Sequence, residues 1–352
     1  MKTTKRRRTP EARGLLSQPA RAAARAVARQ RLERAMEKAA PLAVPASADA
    51  ASTIGNEEVH DFRVALRRLR SWIRAASDLL DDDLPRRKQV ALRRLARRAG
   101  AARDAQVEWQ WLTAPGEPFS APAARAAQWL AGRRLAIYAV ERERLQERVA
   151  DRWPALAAAL AGALASSGDA SASPETLGAH LSSVLAHHLA SAHAALERIE
   201  HRTQVAIIHR ARIKVKRLRY LVEAVDAQTP AGERALRVLR GLQDTLGELH
   251  DAHVITLQLA PLLVPRRRGR APDGRPALRD LRALRAAVRR RELAAFRGAL
   301  DLLGSRSATA AWRVLDRLPA RLAAVAAAHG RSRCANPPIA NPPIANPPIA
   351  GE

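Results

Sequence analysis

Apolar residues recur every three or four positions along most of the chain, which is the spacing of an amphipathic α-helix. From about Glu57 to Leu80, the apolar side chains project onto one arc of the helix and a row of basic side chains onto a neighbouring arc. The pattern predicts a helix that packs along one side and presents positive charge along the next. The apolar arc holds Val59, Phe62, Leu66, Leu69 and Ile73, and the basic arc holds His60, Arg63, Arg67, Arg70 and Arg74.

This basic pattern occurs twice in the chain. Residues 60–70 read H-D-F-R-V-A-L-R-R-L-R and residues 209–219 read H-R-A-R-I-K-V-K-R-L-R, an offset of 149 residues (209 − 60). A second shared pattern, G-x-x-[RH]-D-x-x-V, begins at Gly100 and again at Gly247, an offset of 147 residues (247 − 100). Two patterns repeated in the same order at nearly the same separation indicate an internal duplication.

Proline and small polar residues divide the chain into segments. Residues 1–18 combine high positive charge with few apolar side chains, so we predict a disordered basic tail. The sequence S-S-G-D-A-S-A-S at 166–173 is typical of a linker, and it separates a first helical half at 19–165 from a second at 174–330. Residues 331–352 contain N-P-P-I-A three times, and paired prolines favour an extended conformation, so a second disordered tail is predicted there.

Proline positions and apolar periodicity set the predicted helix limits. The first helix is expected to end before Pro41, and the last helix of the first half is expected to bend at Trp153–Pro154, because proline disrupts an inner helical turn. Residues 261–276 are predicted to form an arginine-rich loop. The predicted helices of the first half are 19–40, 57–80, 85–111 and 122–165, and those of the second half are 174–200, 204–227, 230–259, 277–303 and 308–329.

Composition agrees with an all-α protein and adds a partner class. The 352 residues include 61 Lys and Arg against 34 Asp and Glu, giving a formal net charge of +27, which implies a polyanionic partner or an anionic surface. Aromatic residues make up only 3%, while alanine, leucine and arginine dominate, which favours helix over sheet. Cys334 is the only cysteine, so an intramolecular disulfide is impossible.

Targeting and membrane signals are weak. The first ten residues, M-K-T-T-K-R-R-R-T-P, are basic, but no apolar core of a signal peptide follows them. The longest apolar run, at about 154–165, is too short to span a bilayer. We therefore expect a soluble cytoplasmic protein without stable membrane insertion.

The basic columns carry an energetic cost that points to an anion site. Like charges three or four residues apart destabilise a helix by about 0.2 to 0.5 kcal/mol per pair, and few acidic residues interleave here. In a single helix, such a row of basic residues is usually a solvent-exposed face without a specific ligand. Two copies at matched positions favour a functional reason for the uncompensated charge.

The two basic patterns and the paired G-x-x-[RH]-D-x-x-V patterns resemble the CHAD family, named for its conserved histidines and α-helical domain. The resemblance covers roughly residues 19–330. It implies two antiparallel four-helix bundles related by pseudo-twofold symmetry, which bind inorganic polyphosphate through basic residues. It implies no catalytic activity, and we expect neither a cofactor nor a metal ion. Association with polyphosphate granules would follow from such binding.

Carried onto this sequence, the resemblance implies a set of polyphosphate ligands on the two basic helices, extended to matched arginines before each G-x-x-[RH]-D pattern. The stripes differ at their far end, where Arg74 of the first half corresponds to Glu223 of the second. Acidic residues in this environment are expected to orient arginines. The predicted ligands are His60, Arg63, Arg67, Arg68, Arg70, Arg74, Arg93, His209, Arg212, Lys216, Arg217, Arg219 and Arg240, and the predicted orienting residues are Asp104, Glu223 and Asp251.

Two other functions fit parts of the pattern. The dipeptides His60-Asp61 and His250-Asp251 suggest a metal-dependent phosphohydrolase, although the arginines that surround His60 would repel a cation. Nonspecific binding of nucleic acid would use the same electrostatics. Recognition of single strands usually needs exposed aromatic platforms, and most aromatic residues here occupy apolar helix positions.

Overall fold

The computed structural model describes residues 11–43, 57–113, 119–165, 175–225, 229–264 and 274–335. These ranges contain twelve α-helices and a short 3₁₀ turn, and no strand lies within them, which confirms the all-α prediction. The helices are α1 Glu11–Leu16, α2 Ala20–Ala43, α3 Glu57–Ala75, α4 Ser77–Leu80, α5 Arg86–Thr113, α6 Ala121–Asp151, α7 Trp153–Ala165, α8 Leu177–Glu197, α9 Val205–Val225, α10 Pro230–Leu259, α11 Leu278–Leu303 and α12 Arg306–Ala335.

Several predicted helix limits agree with the observed ones because local capping chemistry sets them. Helix α10 begins at Pro230, directly after Thr229, whose hydroxyl oxygen accepts a hydrogen bond of 2.9 Å from the backbone amide of Gly232. The predicted bend at Trp153–Pro154 is a break at Arg152, between α6 and α7. Proline at the start of a helix costs no intrahelical hydrogen bond, so Pro154 fits the first turn of α7.

Other limits were predicted wrongly. Pro41 lies inside α2, which continues to Ala43, because the burial of Leu42 holds the last turn on the core and offsets the backbone hydrogen bond that the proline removes. The single helix expected over 57–80 is interrupted after Ala75, and α4 follows as a separate turn.

The predicted tails are also shorter where the structure describes them. Residues 11–16 form α1 instead of a disordered segment, and buried Leu16 joins the core. Pro19 is bridged to Thr176, and the amide of Ala20 donates to the carbonyl oxygen of Glu175 over 2.9 Å, so residues next to the linker fix this end. At the other end α12 runs to Ala335. Residues 1–10, the linker at 166–173 and residues 336–352 lie outside the described residues.

Neighbouring helices pack against each other within each half and across the halves. In the first half α3 packs on α2 and α5, and α5 packs on α6. In the second half α9 packs on α8 and α10, and α10 packs on α11 and α12. The halves meet where α6 contacts α11, α2 contacts α8 and α3 contacts α9. The last of these contacts brings the two basic helices together.

The apolar core is continuous across the two predicted halves. A main cluster includes buried residues of both halves, such as Phe62, whose ring stands edge-on to Trp153 at 5.7 Å, and Leu218 on α9. A second cluster joins the ends of α5 and α6 to α10 and α11, with Trp111 and Ile255 among its buried members. Two separate bundles with pseudo-twofold symmetry remain a prediction. None of the described helices is long and apolar enough to cross a lipid bilayer.

Candidate anion-binding site

The basic arcs of α3 and α9 face each other across a seam. Tyr220 of α9 is 3% exposed and lies in this seam, with the guanidinium carbon of Arg67 at 5.3 Å and that of Arg219 at 4.8 Å from its ring centroid. Five cations share the seam, and we call them the seam cluster. They are Arg63, Arg67, Arg212, Lys216 and Arg219.

The seam cluster holds its charges close together and partly out of water. Burial, together with the positive charges of Arg67 and Arg212, lowers the pKa of Lys216 to about 7. Burial also lowers the pKa of Arg67 to about 10, and neighbouring arginines add to this effect. The protein alone therefore does not satisfy these cations, and a bound anion would favour their charged forms.

Three arginines of the seam cluster also have a buried donor atom without a hydrogen-bond partner among the described residues. The buried Nε atoms of Arg67, Arg212 and Arg219 find no acceptor among the described residues. A buried donor without a partner costs about 1 to 3 kcal/mol, and more when it is charged. Three such donors in one seam indicate a surface shaped for an acceptor-rich ligand.

The aspartate of each G-x-x-[RH]-D pattern interacts with one seam arginine, through a hydrogen bond in the first half and through its charge in the second. Arg63 donates from Nη2 to Oδ1 of Asp104 over 2.9 Å. At the matched place, burial raises the pKa of Asp251 to about 6, and the charge of Arg212 opposes the rise. A Cβ atom at Gly100 would lie 4.0 Å from Nε of Arg63, and one at Gly247 would lie 3.9 Å from Nε of Arg212. Both glycines therefore lie next to a seam arginine, at distances that a Cβ atom would also tolerate.

Glu223 connects the two basic helices. Its carboxylate lies 3.8 Å from Nη1 of Arg219, four residues earlier on α9, and 3.5 Å from Nη2 of Arg68 on α3. Arg68 is thus held beside the seam by an acid of the opposite half. Its backbone oxygen accepts a hydrogen bond of 2.9 Å from Arg31 of α2, a residue that the sequence pattern did not single out.

The two histidines that open the basic patterns contribute little positive charge. Burial lowers the pKa of His60, and the charges of Arg103 and Arg67 lower it further. Burial and the charge of Arg212 lower the pKa of His209, whose ring lies 5.1 Å from that of His250. The neutral imidazoles can still exchange hydrogen bonds with a phosphate.

Three predicted ligands lie away from the seam, between α3, α4 and α5. Arg70, Arg74 and Arg93 line a cavity of about 260 Å³ together with Arg86, which sequence reasoning missed. We call this cavity the α3–α5 pocket. Burial lowers the pKa of Arg70, and Arg74 and Arg93 add to the effect.

The remaining two predicted ligands are more isolated. Arg217 is partly buried, and burial followed by the charge of Arg74 lowers its pKa. Arg240 is exposed on α10, and no hydrogen bond or ion pair within the described part of the chain joins it to the other site residues. The structure therefore does not give Arg240 the same setting as its counterpart Arg93.

Sequence reasoning missed Tyr220, Arg31 and Arg86 as parts of the site. Tyr220 directly follows the repeated K-R-L-R and could have been noticed as an aromatic residue outside the apolar arc. Arg31 and Arg86 carry no such signal, because they belong to ordinary basic stretches of α2 and α5.

The geometry gives little support to a metal centre. Asp61 forms an ion pair of 2.6 Å with Lys38 on α2. Within the described ranges, no group of three or more His, Cys, Asp or Glu side chains is arranged to hold a metal ion.

The comparisons with known proteins agree with this helical arrangement. The CHAD domain family profile matches residues 46–260, more than half of the chain, and the chain belongs to the CHAD family. No curated protein matches the chain.

Two solved structures share the fold. The crystal structure of the CHAD domain from the plant Ricinus communis aligns with a TM-score of 0.55 at 20% identity, over 88% of this chain and 93% of its own. PptA from Streptomyces chartreusis aligns with a TM-score of 0.57 at 18% identity, over 83% of this chain and 99% of its own. At these identities the likeness establishes the fold alone.

Proposed function

We propose that this protein binds inorganic polyphosphate along the seam between α3 and α9 and does not hydrolyse it. The observation that carries the proposal is the set of buried, unpaired Nε donors of Arg67, Arg212 and Arg219 beside the partly desolvated Lys216. Phosphate oxygens are strong acceptors that pair with guanidinium groups, often through two parallel hydrogen bonds. Membership of the CHAD family supports the same ligand class.

A linear polyanion suits the seam better than a single phosphate. On α3, Arg63 and Arg67 of the seam cluster are about 6 Å apart along the helix axis, so one helix can contact neighbouring phosphates of a chain. Contacts from α9 would reach the same chain from the other side. Many weak contacts along one ligand add up only when the phosphates are covalently linked.

Calorimetric titration with long-chain polyphosphate and with orthophosphate tests this proposal. We expect much tighter binding of polyphosphate, and at least about tenfold weaker binding after combined Arg67→Gln and Lys216→Gln substitution. Arg94→Gln with Arg210→Gln is the matched control, because it removes two exposed cations from α5 and α9 outside the seam. Equal affinity for both ligands, or equal losses in both double variants, would contradict the proposal.

Nucleic acid is the rival ligand, since it draws on the same charge. Binding of polyphosphate should weaken with salt. For each tenfold increase in salt concentration, log K should fall by roughly 0.7 per phosphate engaged, which is the slope for single-stranded nucleic acid. We expect duplex DNA to be a poor competitor, because a wide, rigid duplex cannot bring its phosphates against largely buried cations such as Arg67 and Lys216. Displacement of polyphosphate by duplex DNA at equal phosphate concentration would favour the nucleic-acid function.

The same proposal places the protein in the cytoplasm, with polyphosphate and its granules. A fluorescently tagged protein should form foci in cells that accumulate polyphosphate and become diffuse when polyphosphate synthesis is removed. A seam variant carrying Arg67→Gln and Lys216→Gln should stay diffuse in both. Foci that persist without polyphosphate would oppose this localisation.

A further inference from the structure

The α3–α5 pocket contains positive charge that the seam does not use. Its lining includes four arginines, Arg70, Arg74, Arg86 and Arg93, and one carboxylate, that of Asp81. Within the described residues, none of the four arginines forms an ion pair. Asp81 accepts a hydrogen bond of 3.1 Å from Gln89, which also donates to the carbonyl oxygen of Leu84 over 2.9 Å.

The size of the pocket restricts its ligand. Its volume of about 260 Å³ lies just below the range of roughly 300 to 1,000 Å³ that accommodates drug-sized molecules. Arginines from α3 and α5 converge on it from two sides, and Ile73, Val90 and Leu92 provide the apolar part of its lining. A compact, highly charged anion fits such a cavity.

The second half of the duplication provides an internal comparison. The matching residues lie 149 positions later on α9 and 147 positions later on α10. Two of the four arginines correspond to acids there, Arg74 to Glu223 and Arg86 to Glu233. Gln89 corresponds to Leu236, which cannot hold a carboxylate in place by hydrogen bonding. The second half therefore lacks the charge needed for an equivalent pocket, and the two halves differ in this respect.

We propose that the α3–α5 pocket is a separate binding site for a compact phosphoanhydride, distinct from the seam. Two sources have this chemistry: the terminal phosphates of a polyphosphate chain and a free short polyphosphate such as tripolyphosphate. Because Arg70 follows Arg67 by one turn of α3, a chain that leaves the seam reaches the pocket directly. This extension to chain ends rests on the proposed function, whereas binding of free tripolyphosphate does not.

Calorimetric titration with tripolyphosphate tests the pocket. We expect combined Arg86→Gln and Arg93→Gln substitution to weaken binding by about tenfold or more, because two charge-assisted contacts are lost. The matched control is Arg87→Gln with Arg94→Gln, which removes the neighbouring exposed arginines of α5 that do not line the pocket. The control should bind like the unchanged protein. Circular dichroism and melting temperature should match in all variants, since all four side chains are exposed.

A seam variant separates the pocket from the proposed function. Arg67→Gln with Lys216→Gln should weaken binding of long-chain polyphosphate and leave tripolyphosphate binding within about twofold. If the seam variant loses tripolyphosphate as strongly as the pocket variant does, or if the pocket variant and its control behave alike, the separate pocket is wrong. If instead long-chain binding is insensitive to the seam variant, the proposed function fails while the pocket stands.

Capped chains identify the source of the ligand. Polyphosphate with both terminal phosphates esterified by a small alkyl group carries no free chain end. If the pocket takes chain ends, capping weakens binding to the unchanged protein and has no effect on the Arg86→Gln, Arg93→Gln variant. If the pocket takes free short polyphosphate, capping has no effect on either protein and tripolyphosphate still distinguishes them. Both results support the site and assign its ligand.

Discussion

Arg67 of α3 stacks over the ring of Tyr220 of α9, with 5.3 Å between the guanidinium carbon and the ring centroid. The contact joins the two basic helices without neutralising either one, because an aromatic ring orients a cation but does not accept hydrogen bonds as a carboxylate does. The guanidinium N–H groups thus remain available to a ligand. The Tyr220 hydroxyl is buried and has no hydrogen-bond partner among the described residues, so Tyr220 contacts the two arginines through its ring.

Substitution of Tyr220 tests whether its ring orients the seam arginines, because the change removes no positive charge from the site. Tyr220→Leu should weaken polyphosphate binding by roughly three- to tenfold although no charge is removed, since a cation–π contact contributes about 0.5 to 2 kcal/mol. Tyr220→Phe is the control and should bind like the unchanged protein. Calorimetric titration measures both, and equal affinity in the two variants would show that the ring does not position Arg67 or Arg219.

Lys216 should make polyphosphate binding depend on pH. With its pKa lowered to about 7 in the free protein, Lys216 loses its proton above neutral pH, and a bound polyanion favours the protonated form. Affinity should therefore fall by roughly three- to tenfold between pH 7 and pH 9. The lowered pKa values of His60, His209 and His250 keep those groups neutral throughout this window.

The control for this pH dependence is Lys216→Arg, which stays charged across the window. Its affinity should be nearly constant between pH 7 and pH 9. Calorimetry in buffers of different ionisation enthalpy should also show proton uptake on binding for the unchanged protein at pH 8 and none for the variant. A common pH profile for both proteins would assign the effect to another group.

Lys216 should also lower the stability of the free protein. Its folded pKa of about 7 lies below the ordinary value of 10.5, so between these values the unfolded chain binds more protons and stability rises with pH. Lys216→Gln should increase the free energy of unfolding by roughly 1 to 3 kcal/mol at pH 6.5, with a smaller gain at pH 9.5. Urea denaturation at both pH values measures the difference, and a gain that grows with pH would contradict the prediction.

Glu223 should stabilise the folded protein and lower its affinity for polyphosphate. Because its carboxylate is 3.8 Å from Arg219 and 3.5 Å from Arg68, Glu223→Gln removes two ion pairs and leaves one more net positive charge at the seam. Polyphosphate affinity should rise by about two- to fivefold and the free energy of unfolding should fall by ~1 kcal/mol. Glu143→Gln, at an exposed acid of α6, is the charge-matched control and should change neither quantity appreciably.

We expect no turnover of phosphoanhydrides. Purified protein incubated with tripolyphosphate or long-chain polyphosphate and Mg²⁺ or Mn²⁺ should release no phosphate above a heat-inactivated control. Asp61, one half of a candidate His-Asp pair, forms an ion pair with Lys38 and is not grouped with other metal-binding side chains in the described ranges. Metal-dependent hydrolysis that His60→Ala or Asp61→Ala abolishes would establish the phosphohydrolase function instead.

Much of the helical layout follows from local patterns. Apolar periodicity and low aromatic content predicted an all-α chain, and the limits of α10 and the break before α7 follow from Thr229 and Pro154. The prediction failed where tertiary packing overrides local preference. Buried Leu42 carries α2 past Pro41, and Leu16 holds α1 on the core, since the burial of an apolar side chain outweighs a weak local signal.

The sequence by itself determined which side of α3 and of α9 carries the cations, because the helical repeat fixes the direction of every side chain about its own axis. Only the tertiary structure decided what each cation faces. Helix α3 meets α9 at Arg67 and α5 at Arg70 and Arg74, so one continuous stripe is divided between the seam and the α3–α5 pocket. A helix contacts different neighbours along its length, and no pattern within the helix records which neighbours those are.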